Sequence, residues 1–331
     1  HTLQQSWRSK VLGFVNFTGT AGVWRAAAIE RAGGWSSSSL VEDCELSVRA
    51  LFAGYRTKFV KEIVAPAELP QSMAAYRSQQ KRWTQGWAQL QRLHLGRLLF
   101  RHRAGLRRKS GLLAMVCISW QWPLWFIWIA IFPFLLAHGL SLAEYGTGAA
   151  LAAYLAPPVV FAVAATLAAN HEARASYTRA DGTLRLSRLR RFFRVIPYLV
   201  VSAGMLPHHF CAFVEGLFGP MHAEFERTPK TAKVSGGTVA PPAIAATPAA
   251  LAKRTPARPG FAIPRIARPA YAITELLFVT AQLSWVIAFA RSGYLLAAVT
   301  ALWLVLGIAA LRLGPPIAAW LRRRTALRSQ G

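Results

Sequence analysis

The sequence predicts an α/β segment followed by an α-helical membrane domain with about four transmembrane helices and interfacial helices. Three observations predict it. Up to about residue 70, short apolar runs mix with glycine stops and acidic residues. Several later runs stay apolar over the ~20 residues that a bilayer core requires. Lys and Arg gather between those runs, as in a membrane protein with basic cytoplasmic loops. The balance is unusual: 331 residues, 54% hydrophobic, net charge +26, mean hydropathy +0.30. A disordered chain would be poor in apolar residues. A nucleic-acid binder would concentrate its charge on one soluble face. Here the charge flanks apolar runs, so nucleic acid is not an expected partner.

The elements follow in order. Val11, Phe14, Val15 and Phe17 form a strand-like run closed by Gly19 and Gly22. Arg25 to Arg31 has a short helix pattern stopped by Gly33 and Gly34, which suit a left-handed C-cap. A helix is predicted from about Glu42 to Phe52, with Cys44, Val48 and Leu51 on one face and Gly54 as its stop. Glu42, Asp43 and Glu45 occupy its first turn, where the helix dipole favours acids. Lys58-Phe59-Val60 and Ile63-Val64 look like strands or edges, ended by Pro66 and Pro70. From about Met73 to Arg103 the pattern is helical, with Trp83, Trp87, Leu90, Leu93 and Leu98 on a broad apolar face and Arg92, Arg97 and Arg101 beside it. Trp and Arg on such a helix read as lying in the membrane surface. The alternative is a plain surface helix on a soluble domain.

Four runs are long and apolar enough to span: 112–137, 147–169, 271–290 and 294–313. A fifth, 196–219, holds Pro197, Pro207, His208, His209 and Glu215, which are costly in hydrocarbon. Basic clusters precede the first span (Arg97 to Lys109), follow the second (Arg174 to Arg194), fill 225–268 and end the chain. The loop His138 to Gly146 has no Lys or Arg. If 196–219 lies on the inner face, every basic cluster stays inside. The expectation is therefore four spans plus an interfacial or re-entrant segment, with a flexible Ala/Pro/Thr/Gly-rich linker over 231–260. Cys44, Cys117 and Cys211 lie far apart and form no metal-type pair or disulfide framework.

Three short motifs carry chemistry. Glu42-Asp43 opens a helix, where a carboxylate can accept a proton. Gln79-Gln80-Lys81-Arg82-Trp83 has the form Q-x-x-R-W. Its Gln and Arg share a helix face, Arg can clamp a phosphate, and Trp offers a flat platform for a sugar ring. Phe225-Glu226-Arg227-Thr228-Pro229-Lys230 is a loop whose Thr and Lys could meet a phosphate. Taken singly, these could be an acidic first turn, an interfacial anchor and a solvated basic loop.

Together with Phe17-Thr18-Gly19-Thr20-Ala21-Gly22-Val23-Trp24-Arg25, Gly33-Gly34-Trp35 and Ala65-Pro66-Ala67-Glu68-Leu69-Pro70, they resemble the membrane-embedded family 2 glycosyltransferases, which include the cellulose and mannan synthases. The resemblance is close over about 10–110 and continues in the order of spans and loops. It implies the C-terminal half of a GT-A catalytic domain in 1–72, an interfacial region over 73–110, and spans with a re-entrant segment over 111–219. A gating-loop-like segment and linker would follow over 220–270, then two spans and a basic cytoplasmic tail over 271–331. It implies Asp43 as general base, with Gln79, Arg82, Trp83, Glu42, Thr18 and Gly19 binding substrate. Phe225, Thr228 and Lys230 fit the family's F-x-V-T-x-K gating loop, with Arg227 in place of Val. Val41 stands where the family usually has Thr.

The resemblance also implies an inverting transfer from a UDP- or GDP-hexose to a growing β-linked polysaccharide, coupled to export. A single transfer to a lipid such as ceramide is the alternative, and a transporter without chemistry is the alternative of another class. Mg²⁺ or Mn²⁺ is expected on a D-x-D motif. The chain opens on His1 and has no such motif before Val11, so the nucleotide-binding half is expected in a preceding segment or on a separate polypeptide, and this chain is not expected to turn over alone. The expected setting is the inner cell membrane, multi-pass, with catalytic domain and tail cytoplasmic.

Overall fold

A computed structural model of the chain describes residues 2–19, 21–60, 63, 65, 70, 72–137, 146–176, 188–221 and 268–328. Eleven helices run along them: α1 Thr2–Leu12, α2 Ala26–Arg31, α3 Glu42–Phe52, α4 Met73–Phe100, α5 Leu106–Val116, α6 Gln121–Ala137, α7 Gly146–Ser176, α8 Arg188–Gly204, α9 Leu206–Phe218, α10 Arg268–Arg291 and α11 Leu295–Arg328. The chain forms two compact units, one from Leu3–Ile118 and Val214–Arg265, the other from Ser119–Phe213 and Ile266–Gly331.

Local chemistry sets the helix ends in the first unit. α3 starts with Glu42, Asp43 and Glu45 in its first turn and carries Arg49 in its last, as the dipole favours. It stops at Gly54 with φ +88°. The Gly54 amide donates to Leu51 O and the Tyr55 amide to Ala50 O, which is a Schellman cap. α2 stops the same way at Gly33. α4 is capped by Ser72, whose hydroxyl accepts from the Ala75 amide at 3.1 Å.

The core of this unit gathers Leu12, Phe14, Val41, Cys44, Val48, Leu51, Leu90, Leu98, Leu112, Met115 and Val116. Two expectations change here. The strand-like runs at Val11–Phe17 and Lys58–Val60 are not strands: no strand occurs among the described residues, and Val11 lies in the last turn of α1. A strand requires a ladder. These extended segments instead send amides to hydroxyls: Val15 to Thr57, Phe17 to Ser47 at 2.9 Å, and Phe59 to Ser9 at 3.0 Å. The buried face of α4 is also not the predicted Trp/Leu face. Trp83 is 44% exposed and Leu93 38%, while Thr84, Gln85, Gln89, Gln91 and His94 are buried beside Leu90 and Leu98. Gln89, Gln91 and His94 are tolerated there because protein groups pair with them: the Leu40 amide with Gln89, the Val116 carbonyl with Gln91 and Glu45 with His94.

In the second unit, α10 and α11 hold two stretches long and apolar enough to cross a membrane, Pro269–Arg291 and Leu295–Pro316. They match the predicted runs 271–290 and 294–313. The run 112–137 begins in a pair of helices, Leu106–Val116 and Ile118–Ile131, bent by 55°, and 196–219 falls in a pair bent by 51°; each pair is long and apolar enough to cross a membrane only as one broken span. Leu112, Met115 and Val116 belong to the first unit's core, so their apolar character is spent on protein contacts. The run 147–169 lies within the single helix α7, Gly146–Ser176, and includes the apolar helical stretch Tyr154–Asn170.

α8 and α11 cross where Gly204 meets Gly307; a Cβ on Gly204 would sit 2.3 Å from Gly307 O. Small residues permit such close crossings. Ile129, Leu206, Phe278, Leu304 and Ile308 pack together with Trp122 and Trp125, while Leu276, Leu277, Leu296 and Val299 face outward. Buried Glu275, inside a predicted span, is paired: Arg312 Nε donates to it at 2.8 Å.

Candidate active site

Asp43 is the second residue of α3 and half-buried. Its Oδ1 accepts the Cys44 amide at 2.7 Å and its Oδ2 accepts the Gly19 amide at 2.5 Å. Gly19 supplies that amide from φ +60° in a turn where the Ala21 amide donates to Thr18 O at 3.2 Å. A side chain would be strained in that conformation. The 14–19 segment is fastened to α3 again by Ser47, whose hydroxyl donates to Asp43 O at 2.7 Å and accepts the Phe17 amide. Two amide bonds thus fix the carboxylate's orientation. A carboxylate has about four acceptor positions, so capacity remains for an incoming hydroxyl. Glu42 lies beside it, half-buried, at the first position of α3. Val41 gives no side-chain cap, as expected for Val in place of Thr.

Cys44 next to Asp43 is no nucleophile. Burial first, and then the Asp43 charge, push its thiol well above the ordinary range, so it stays protonated.

Gln79, Arg82 and Trp83 lie on α4 at spacings that continue to Gly86: positions 79, 82, 83 and 86 share one helix face. At Gly86 this face meets the start of α3. A Cβ there would be 2.6 Å from Val41 Cγ1 and 3.1 Å from the Val41 amide nitrogen. The turn bearing Arg82 and Trp83 is therefore held one helical turn from the residue that precedes Glu42-Asp43. Gln79 and Arg82 are half-buried and Trp83 is open to solvent.

Further along α4, fully buried Gln89 accepts the Leu40 amide on Oε1 at 3.0 Å. His94 pairs with buried Glu45 at 2.8 Å, and Arg49 Nε donates to both Glu45 oxygens at 2.8 Å. Burial would raise the Glu45 pKa, but the hydrogen bonds from His94 and Arg49, with the charges on both, leave it below the ordinary glutamate value. Gly86, Gln89, Glu45 and His94 are the site residues that sequence reasoning missed. Gly86 was the findable one, because it extends the period of Q-x-x-R-W.

Phe225, Thr228 and Lys230 lie outside the described residues. Among the described residues no three His, Cys, Asp or Glu side chains converge to hold a metal ion, and Glu45 is turned to His94 and Arg49. The expected divalent ion finds no ligand set among the described residues.

The site thus combines a carboxylate fixed at a helix start with an Arg/Trp turn held near that start. The profile of the glycosyl transferase family group 2 matches residues 1–169, just over half of the chain. The chain belongs to this family. Among its relatives is glucomannan 4-beta-mannosyltransferase 7 of Arabidopsis thaliana, 40% identical over 108 residues, covering 33% of this chain and 19% of that protein. Two rice proteins (Oryza sativa subsp. japonica) are also similar. Probable glucomannan 4-beta-mannosyltransferase 11 is 47% identical over 87 residues, 26% of this chain and 15% of its own. Probable glucomannan 4-beta-mannosyltransferase 3 is 42% identical over 98 residues, 30% and 18%. The matches thus span less than a fifth of these relatives' length. No solved structure matches the chain.

Proposed function

We propose that this family group 2 chain carries the acceptor side of an inverting membrane glycosyltransferase that extends a β-linked polysaccharide from a UDP- or GDP-hexose and exports it. The observation that supports the reading is Asp43, oriented by the Gly19 and Cys44 amides at the start of α3. The acceptor sugar ring stacks on exposed Trp83, and its hydroxyl loses its proton to the Asp43 carboxylate as the oxygen attacks the anomeric carbon. The bond from that carbon to the nucleoside diphosphate breaks, and the leaving electron pair goes to the diphosphate oxygen. Arg82, with Gln79 beside it, stabilises that growing charge. One base and one displacement invert the anomeric centre, and no second carboxylate is required. Glu42, Thr18 and Gly19 shape the acceptor side, and Phe225, Thr228 and Lys230 close over the donor. The catalytic face and the basic tail lie in the cytosol, with the apolar helices in the inner membrane. The names of the relatives favour a β-mannan type of product.

The test is Asp43→Asn in the full-length protein, with sugar transfer from UDP- and GDP-hexoses measured per folded molecule. Loss of the base should lower turnover about 10²-fold or more. Near-normal turnover would remove Asp43 from the chemistry.

A further inference from the structure

Glu215 is an oddity of the 196–219 run. It is an acid with 1% exposure in the last turns of an apolar helix. A buried charge is tolerated only when paired and hydrogen-bonded. Its partner is Lys81 Nζ, 2.9 Å from Oε2, and Lys81 is the middle residue of Gln79–Trp83.

The pair opens a continuous seam. Gly216 presses on the α4 backbone, where a Cβ would fall 2.4 Å from Gln85 O and 2.8 Å from Ala88 Cβ. Arg92 Nη1 donates to Gly219 O at 2.6 Å and to Gly216 O at 3.4 Å. Gln89 Nε2 donates to Pro220 O at 3.4 Å. Positions 81, 85, 88 and 92 form one face of α4, roughly opposite the 79–82–83–86 face. From Thr84 onward α4 has buried residues, but none of Met73–Trp83 is buried. Lys81 is therefore the point where the seam reaches the unburied turn that bears Arg82 and Trp83. Fixing Lys81 on the seam fixes the rotation of that turn, because successive helix residues are set about 100° apart.

We infer that Glu215 is a positioning residue, which acts through Lys81 to hold Arg82 and Trp83 on the face that meets α3. The inference rests on the substrate roles proposed above for Arg82 and Trp83. A role in stability alone would alter the yield of folded protein. A positioning role alters turnover and diphosphate affinity in each folded molecule.

The experiment uses the full-length protein in detergent or nanodiscs, normalised to the folded fraction by size exclusion. The variants are Lys81→Gln, Lys81→Arg, Glu215→Gln and the swap Lys81→Glu with Glu215→Lys. Lys81→Gln and Glu215→Gln should each lower kcat about tenfold and weaken inhibition by UDP or GDP by a similar factor. Lys81→Arg should stay within about threefold of wild type, since it keeps the charge. Recovery of activity in the swap would further support the pair. If the two Gln variants keep normal kcat and normal diphosphate inhibition while only their folded yield falls, or if Lys81→Gln does not fold at all, the pair is structural and the inference is overturned. Asp43→Asn is assayed in parallel: its loss of activity beside a normal Lys81→Gln would overturn the positioning role and leave the glycosyltransferase reading standing.

Discussion

Gly86→Ala is the sharpest perturbation of the proposed site, because it adds one methyl and touches no proposed substrate ligand. The new Cβ would lie 2.6 Å from Val41 Cγ1, 3.0 Å from Cγ2 and 3.1 Å from the Val41 amide nitrogen. Carbon atoms pack best at about 3.5–4.0 Å, so α4 and α3 must separate locally by roughly 1 Å. Turning Val41 cannot relieve this, since its two methyls and its backbone all face the glycine. Overpacking of this kind costs about 1–3 kcal/mol of stability. The separation also moves the Arg82–Trp83 turn away from Asp43, and a displacement of about 1 Å can cost on the order of 10²-fold in rate. The assay is hexose transfer per folded molecule, beside thermal denaturation of the same preparation. Val41→Ala with Gly86→Ala is the control. It removes both methyls, leaves only the contact to the amide nitrogen, and should recover about tenfold or more of the lost rate. Normal turnover in Gly86→Ala, at unchanged stability, would refute the claim that this contact sets the site.

Three further outcomes are expected. Trp83→Ala should weaken use of the glycan acceptor more than donor binding, and Arg82→Ala should weaken inhibition by the nucleoside diphosphate; effects on expression level alone would make this turn an interfacial anchor. Glu45 is held below its ordinary pKa by His94 and Arg49, so the stability it contributes is complete above the unfolded glutamate value, about 4.3, and is lost as pH falls through the lower folded value. Denaturation midpoints followed from neutral to acid pH should show that loss, and Glu45→Gln should remove this component while lowering stability at neutral pH. Finally, a cysteine placed at Lys233 should resist a membrane-impermeant thiol reagent in intact cells, because a cytosolic donor demands that the 225–230 segment be inside; labelling from outside would overturn the proposed topology.

The sequence was most legible where punctuation is local. α3 starts and ends where its acidic first turn and Gly54 place it, and α4 runs Met73–Phe100 against an expected Met73–Arg103. It was least legible where a partner lies far along the chain. Hydropathy assigns Gln89, Gln91 and His94 to solvent. They are buried because the groups that satisfy them come from elsewhere: Glu45 is 49 residues from His94, and Pro220 is 131 from Gln89. Hydropathy also cannot tell lipid from protein core. Leu112, Met115 and Val116 read as the start of a span and instead pack with Leu12 and Phe14. The strand-like runs misled for a related reason, since Phe14 and Val15 are buried as strand residues would be, but their neighbours are helices and hydroxyls.

These gaps have one physical origin in α4. A helix can serve two partners only if its faces differ, and here they do. Gly86 and His94 turn toward α3, while Lys81, Gln85, Ala88 and Arg92 turn toward 215–220. Gln89 lies between the two faces and bonds to both, with its acceptor on Leu40 and its donor on Pro220. An apolar side chain could fill that position but would leave the buried Leu40 amide and the part-buried Pro220 carbonyl without this partner, the costlier fault. Glutamine is the residue whose single side chain carries both complements. Its polarity hid it from a hydropathy reading, and the same polarity fastens the turn of Arg82 and Trp83 to the helix of Asp43. An account of this site from the Q-x-x-R-W motif alone would therefore stop one helical turn too early.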